Sequence, residues 1–127
     1  MSDSPQKVTH FTIDRNTWLR GKGAPSSLLR RSDGMMCCLG HYGLACGVPA
    51  KDMLSVSEPS YLQDSGTLAE EMEWLVVTGP GSEDAVNSDV AHQLMVLNDS
   101  IRRSEEYREA KITAIFARRG IAVEFIN

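Results

Sequence analysis

The apolar positions of this chain follow a period of two near either end and a helical period between. Val8 to Ile13 alternates, with Thr9, Phe11 and Ile13 on one side and Val8, His10 and Thr12 on the other, as a half-buried strand does. Ile121 to Ile126 alternates again, with Ile121, Val123 and Phe125 facing one way. Asp14 offers an N-cap for a short turn of helix carrying Trp18 and Leu19 and stopping at Gly21. Gly21 to Ser27 is a loop by composition, and Leu28-Leu29 is too short to assign. Met36 to Cys46 reads as a helix broken by Gly47 and Pro49. From Lys51 to Gly66 the chain is turn-rich, with a short helix expected near Asp52 to Leu54.

Thr67-Leu68-Ala69-Glu70 then forms a capping-box pattern, and Leu68, Met72 and Leu75 recur at helical spacing until Gly79-Pro80-Gly81 ends the element. Ser88 caps a helix whose stripe is Val90, Leu94 and Leu97, closed by Asn98-Asp99. A last helix opens at Ser104, places Glu105 and Glu106 in its first turn and Arg118 and Arg119 in its last, and turns Ile112, Ile115 and Phe116 to the core. These elements predict an α+β fold, a single small domain of about four helices on a small sheet formed by the N- and C-terminal strands. A pair of strands alone is marginal in water, so they are expected to pair with each other or with a third segment such as Leu75 to Thr78. Residues 1–7 read as a flexible tail and residues 8–127 as the domain.

The helix from Met36 carries Gly40 and Gly43, each costing roughly 0.5 to 1 kcal/mol against alanine inside a helix, so close approach of another backbone is expected to offset them. It also begins with Cys37-Cys38, answered about sixty residues later by Asn98-Asp99. A thiol at a helix N-terminus has a chemical use: the dipole and the first amides favour thiolate, and His41, one turn on, or His10 or His92 could act as base, with Asn98 or Asp99 orienting it. The alternative is that Cys37, Cys38 and Cys46 are small buried hydrophobes and that Asn98 and Asp99 tie up amides at a helix end. Cys37 and His41 could present two metal ligands on one face, but a zinc site wants three or four and no second pair has ligand spacing. No metal or cofactor is expected.

Composition narrows the partners. With 127 residues, 42% hydrophobic and 24% charged, the chain suits one globular domain. Its formal charge of −4 gives no global attraction to nucleic acid or to an anionic membrane. Three cysteines, two of them adjacent, make a poor disulfide framework, and Cys38 and Cys46 on one helix would lie roughly 12 Å apart. Together with an N-terminus lacking the regions of a signal peptide, this leads to the expectation of a cytosolic protein with reduced thiols. Against the acidic background Arg20, Lys22, Arg30 and Arg31 gather just before the cysteine helix, where they could bind a nucleotide phosphate or another anion beside its open first amides.

Trp18, the loop Gly21 to Gly23, Leu28-Leu29, Asp33-Gly34, Cys37-Cys38-Leu39-Gly40, Trp74-Leu75, Leu97-Asn98-Asp99 and the helix around Ile112 to Phe116 stand in an order that resembles a group of small proteins encoded by bacteriophages and prophages. The resemblance spans most of the chain. His41 departs from it, standing with Tyr42 after the Leu-Gly where aliphatic or aromatic residues are expected. It carries no established activity, so no catalytic role passes to Cys37, Cys38, Asn98 or Asp99. It implies a small accessory protein in the bacterial host cytosol, acting by binding a bacterial protein and interfering with host machinery or host defence. A thiol-dependent enzyme centred on Cys37 or Cys38, and an anion binder using the arginine cluster, are the alternatives.

Overall fold

The structure, a computed structural model, describes residues 8–19, 27–30, 34–56, 59–75, 82–100 and 102–127, with the side chains at 60, 82–89 and 92 outside that description. The two alternating segments become β1 (His10–Asp14) and β2 (Ala122–Ile126), and they pair with each other. They run in the same direction, with His10 beside Ala122 and Asp14 beside Ile126. A parallel pair needs a long crossover instead of a tight turn, and here that crossover is nearly all of the described chain. Phe11 and Ile13 are buried and Thr12 is exposed, as the alternation requires. Val8 and Thr9 precede the strand, and Ile121 is buried just ahead of β2.

Among the described residues five α-helices and a 3-10 helix lie between the strands: α1 (Cys38–Ala45), α2 (Ala50–Met53), α3 (Pro59–Ser65), the 3-10 helix Glu70–Leu75, α4 (Ser82–Asp99) and α5 (Glu105–Ala117). Helix α1 packs on β1, α5 packs on β2, and α4 touches both α1 and α5. The result is a small α+β domain whose terminal strands lie side by side under helices. One cluster forms the core, drawing Phe11 and Ile13 from β1, Cys38, Leu39 and Tyr42 from α1, Leu94 from α4 and Ile112, Ile115 and Phe116 from α5. At its centre the rings of Phe11, Tyr42 and Phe116 stand 5.0 to 5.2 Å apart, with Trp74 5.7 Å from Phe116. Tilted and edge-on geometry of this kind adds electrostatic complementarity to the burial. Their polar ends are satisfied: the Trp74 indole donates to the Tyr42 hydroxyl at 3.0 Å, and that hydroxyl donates to the Glu71 carbonyl at 2.9 Å.

Several local expectations change. Among the described residues no helical turn follows Asp14 directly. The chain turns there, and Trp18 forms a bridge with Met36, Leu19 N–H donating to Met36 C=O at 2.7 Å and Met36 N–H to Thr17 C=O at 2.8 Å. Propensity for a helical turn loses to tertiary pairing that buries Trp18 and Leu19. Helix α3 arises in the stretch read as turns, anchored by buried Pro59 and Leu62. The capping-box segment becomes a 3-10 helix, with Met72 and Leu75 buried. Helix α4 begins at Ser82, not Ser88, its polar opening Ser82-Glu83-Asp84 giving no apolar stripe to announce it. Gly21 to Ser26, Val76 to Thr78 and residues 1–7 lie outside the described residues. Among the described residues no helix is long and apolar enough to cross a membrane.

Candidate functional site

The cysteines, His41 and Asn98, which the sequence marks as chemical, meet at α1. Its N-cap, Cys37, has extended backbone and makes no side-chain capping bond. The cap comes from far away instead: the Asn98 side-chain carbonyl, near the end of α4, accepts the Cys38 N–H at 2.9 Å and the Trp18 indole N–H at 2.6 Å. The Asn98 amide donates to the Leu19 carbonyl at 2.6 Å and to the Asp99 carboxylate at 3.0 Å. Its backbone carbonyl accepts from the buried Arg108 guanidinium at 2.9 Å. A fully buried Asn98 thereby joins the segment before α1, α1 itself, α4 and α5. The sixty-residue pairing of Cys-Cys with Asn-Asp is a long-range helix cap.

The glycines complete the joint. A methyl group at Gly40 would sit 1.8 Å from the Leu28 carbonyl oxygen and 2.9 Å from the Met36 Cβ, so α1 passes against another backbone there. At Gly43 the nearest atom would be the Met53 sulfur, 2.8 Å away at the end of a flexible side chain. Both glycines admit close neighbours, but only Gly40 faces an immovable one.

Cys37 and Cys38 are buried and none of the three cysteines forms a disulfide. Burial pushes the Cys38 thiol well above its usual range, and its sulfur lies 3.9 Å from the Leu94 carbonyl oxygen. Cys46, half-buried at the C-cap of α1, is pushed up to about 11, again chiefly by burial. A thiolate nucleophile needs the opposite, an exposed sulfur with a lowered pKa. His41 is not arranged as its base. A carbonyl oxygen only accepts, so Nδ1 carries a proton toward the Cys37 C=O at 3.1 Å, while Nε2 faces the Thr17 hydroxyl at 3.2 Å. Burial lowers the His41 pKa, opposed by the Cys37 carbonyl and by Asp14. His10, on β1, lies 3.4 Å from Glu124 on β2. The His92 side chain lies outside the description. Among the described residues no three His, Cys, Asp or Glu side chains gather as a metal site.

The anion site is corrected in one respect. The first amides of α1 are not open: Cys37 N–H donates to the Ser27 carbonyl, Cys38 N–H to Asn98, and Gly40 and His41 N–H to the Cys37 carbonyl. Tertiary acceptors have taken the Cys37 and Cys38 amides, two of the donors that a phosphate would use. Arg30 lies against Met35, with guanidinium to sulfur at 3.8 Å, while Arg20, Lys22 and Arg31 lie outside the described residues.

The open surface is at the other end of α1. Between β1 and the C-terminal half of α1 runs a groove of about 510 Å³, lined by His10, Thr12 and Asp14 on one side and His41, Leu44 and Ala45 on the other, with Met36 between. Leu44 is 42% exposed, conspicuous for a large aliphatic residue. The β1 backbone alternates as a parallel pair dictates: Ala122 N–H donates to the Thr9 carbonyl and Arg15 N–H to the Ile126 carbonyl, so odd-numbered residues serve β2. The amides and carbonyls of His10 and Thr12 therefore point away from β2, along the outer edge of the strand, where no described residue meets them, and both residues line the groove. At its far end the edge closes, because the Asp14 carbonyl accepts from the Thr17 amide at 3.0 Å.

Sequence reasoning brought His10, His41 and the cysteines into view but not Thr12, Asp14, Thr17 or Leu44. The one available signal was a strand with a polar outward face and no assigned neighbour on its second edge. No family model, curated protein or solved structure matches this chain.

Proposed function

We propose that this protein is a non-enzymatic accessory protein of the bacteriophage or prophage kind, acting by binding a bacterial protein in the host cytosol and interfering with host machinery or defence. The observation that carries the binding reading over the thiol enzyme is the inward orientation of the motif: Cys37, Cys38 and Asn98 are all buried, and Asn98 spends its side chain on Trp18, Leu19 and Cys38. Residues committed to holding four segments together are supports, not reagents. The phage context rests on the resemblance of the ordered motifs.

The test immobilises the protein, exposes it to bacterial lysate and identifies what it retains. One host protein should be captured, and Cys37→Ser and Cys38→Ser should retain it at temperatures where they remain folded. In the folded wild type iodoacetamide should leave Cys37 and Cys38 unmodified at neutral pH. Rapid alkylation of either thiol, with activity lost and the melting curve unchanged, would establish the thiol enzyme in its place.

A further inference from the structure

We propose that the groove between the outer edge of β1 and the C-terminal half of α1 takes one extended segment of a partner protein, running antiparallel to β1 with a basic residue at its N-terminal end beside Asp14. The inference rests on the binding reading and specifies its surface and the chemistry of what fits there.

The outward amides and carbonyls of His10 and Thr12 form a ladder with no described partner. An added strand would complete it with directly opposed bonds, the geometry of antiparallel pairing and the recurring way a sheet edge captures a peptide. Alternate side chains of such a strand point to one side, and the groove has about 510 Å³ and the apolar surfaces of Met36 and Leu44 to receive them. Asp14 is the single carboxylate among the lining residues, which include no lysine or arginine. One of its oxygens accepts the Asn16 N–H at 2.9 Å, and the second remains for a cation. Burial holds His41 toward its neutral form, so it does not offset that charge. In the antiparallel sense the incoming N-terminal end lies at Asp14.

A second copy fits less well than a lone segment. Pairing two β1 edges about a twofold axis normal to the sheet brings the partner's α1 to the same side of the sheet, where His41, Leu44 and Ala45 already form a wall. The wall suits a chain that carries no helix of its own.

The probes are two N-acetylated hexapeptides, Lys-Val-Thr-Val-Thr-Val and its Glu-led counterpart, with binding read by fluorescence anisotropy at low salt and by amide hydrogen exchange. The Lys-led peptide should bind about five-fold more tightly or better, and should slow exchange at the amides of His10 and Thr12 by about ten-fold. Asp14→Asn keeps an acceptor for Asn16 and should bring the two peptides within about two-fold. Thr12→Pro removes an outward N–H without touching the β2 ladder and should weaken binding by about ten-fold. Should that variant unfold, exposed Leu44→Gln serves instead, with a loss of about three-fold. The proposal is overturned if neither peptide binds at millimolar concentration, if both bind equally without protecting His10 and Thr12, or if those amides are protected by a concentration-dependent dimer in the absence of peptide. Lysate capture unchanged by Thr12→Pro would remove this surface and leave the binding reading standing. Peptide binding as described with no protein captured would do the reverse.

Discussion

At its N-terminal end α1 offers nothing to solvent: Cys37 through Gly40 are buried, the Cys37 and Cys38 amides are held by Ser27 and Asn98, and the Leu28 backbone lies against Gly40. At its C-terminal end the same helix exposes Leu44 and Ala45 beside a strand edge whose outward hydrogen-bonding groups are unmet among the described residues. Eight residues thus span an over-determined joint and an incomplete surface. The contrast teaches that residue types with chemical potential do not mark a site by themselves. Cysteine, asparagine and glycine are used at the joint for their size and their hydrogen-bonding geometry, and the groove at the open end is lined by threonine, leucine, methionine, histidine and one aspartate.

The joint should break most severely at Gly40. Leucine there should prevent folding, and even alanine should cost about 3 kcal/mol in a urea titration, because the obstacle is backbone. Gly43→Ala should cost under about 1 kcal/mol, since the Met53 thioether can swing aside. Equal costs at the two positions would mean that α1 lacks the close approach to Leu28.

Asn98→Ala comes next, at about 3 kcal/mol, because the Cys38 amide and the Trp18 indole would be left buried without an acceptor. Faster amide exchange at Cys38 in that variant would localise the effect to the cap. Cys38→Ser should cost roughly 1 to 3 kcal/mol, a polar hydroxyl replacing a buried thiol whose nearest acceptor is the Leu94 carbonyl. Leu44→Gln, at the open end, should move stability by less than about 0.5 kcal/mol. A loss as large as that of Cys38→Ser would show Leu44 to be part of the core.

The finest distinction is the pH response. His41 has a folded-state pKa lowered below its ordinary 6.5, so the folded protein binds fewer protons than the unfolded chain once the pH falls beneath that value. Its stabilising contribution is present above the unfolded pKa and is lost as the pH falls through it. Melting temperature should drop between about pH 7.5 and about pH 5.5, and drop less in His41→Gln. Identical slopes in the two proteins would place the titration elsewhere.

Periodicity made both strands legible because Phe11 and Ile13, or Val123 and Phe125, alternate with polar residues whatever lies beside them. It carries no information about strand direction, so the parallel register waited for the structure. The start and core face of helix α5 were legible, since Ser104 caps it by accepting from Tyr107 N–H at 3.1 Å and its apolar face repeats over several turns, but the helix ends at Ala117, so Arg118 stands at its C-cap and Arg119 beyond it and neither is in the last turn. Helix α3 was not, because Leu62 is its only large buried side chain among the described residues and one residue sets no period. The structural weight of Asn98 was visible, but its mechanism was not: a local reading has it tying nearby amides, whereas its principal partners stand some sixty to eighty positions away. The groove escaped for a related reason, as its lining joins β1, the bridge at Met36 and α1, three segments that no spacing relates.

Because His10 meets Ala122 in parallel register, a ribosome must release nearly the whole chain before β1 acquires its partner. Until then the nascent segment presents Phe11 and Ile13 on one face and hydrogen-bonding groups along both sides, a state open to wrong pairing with other chains. Premature termination ahead of Ala122 would release a product holding every helix and no sheet, so the domain should be dependent on chaperones during synthesis and intolerant of even short deletions at β2.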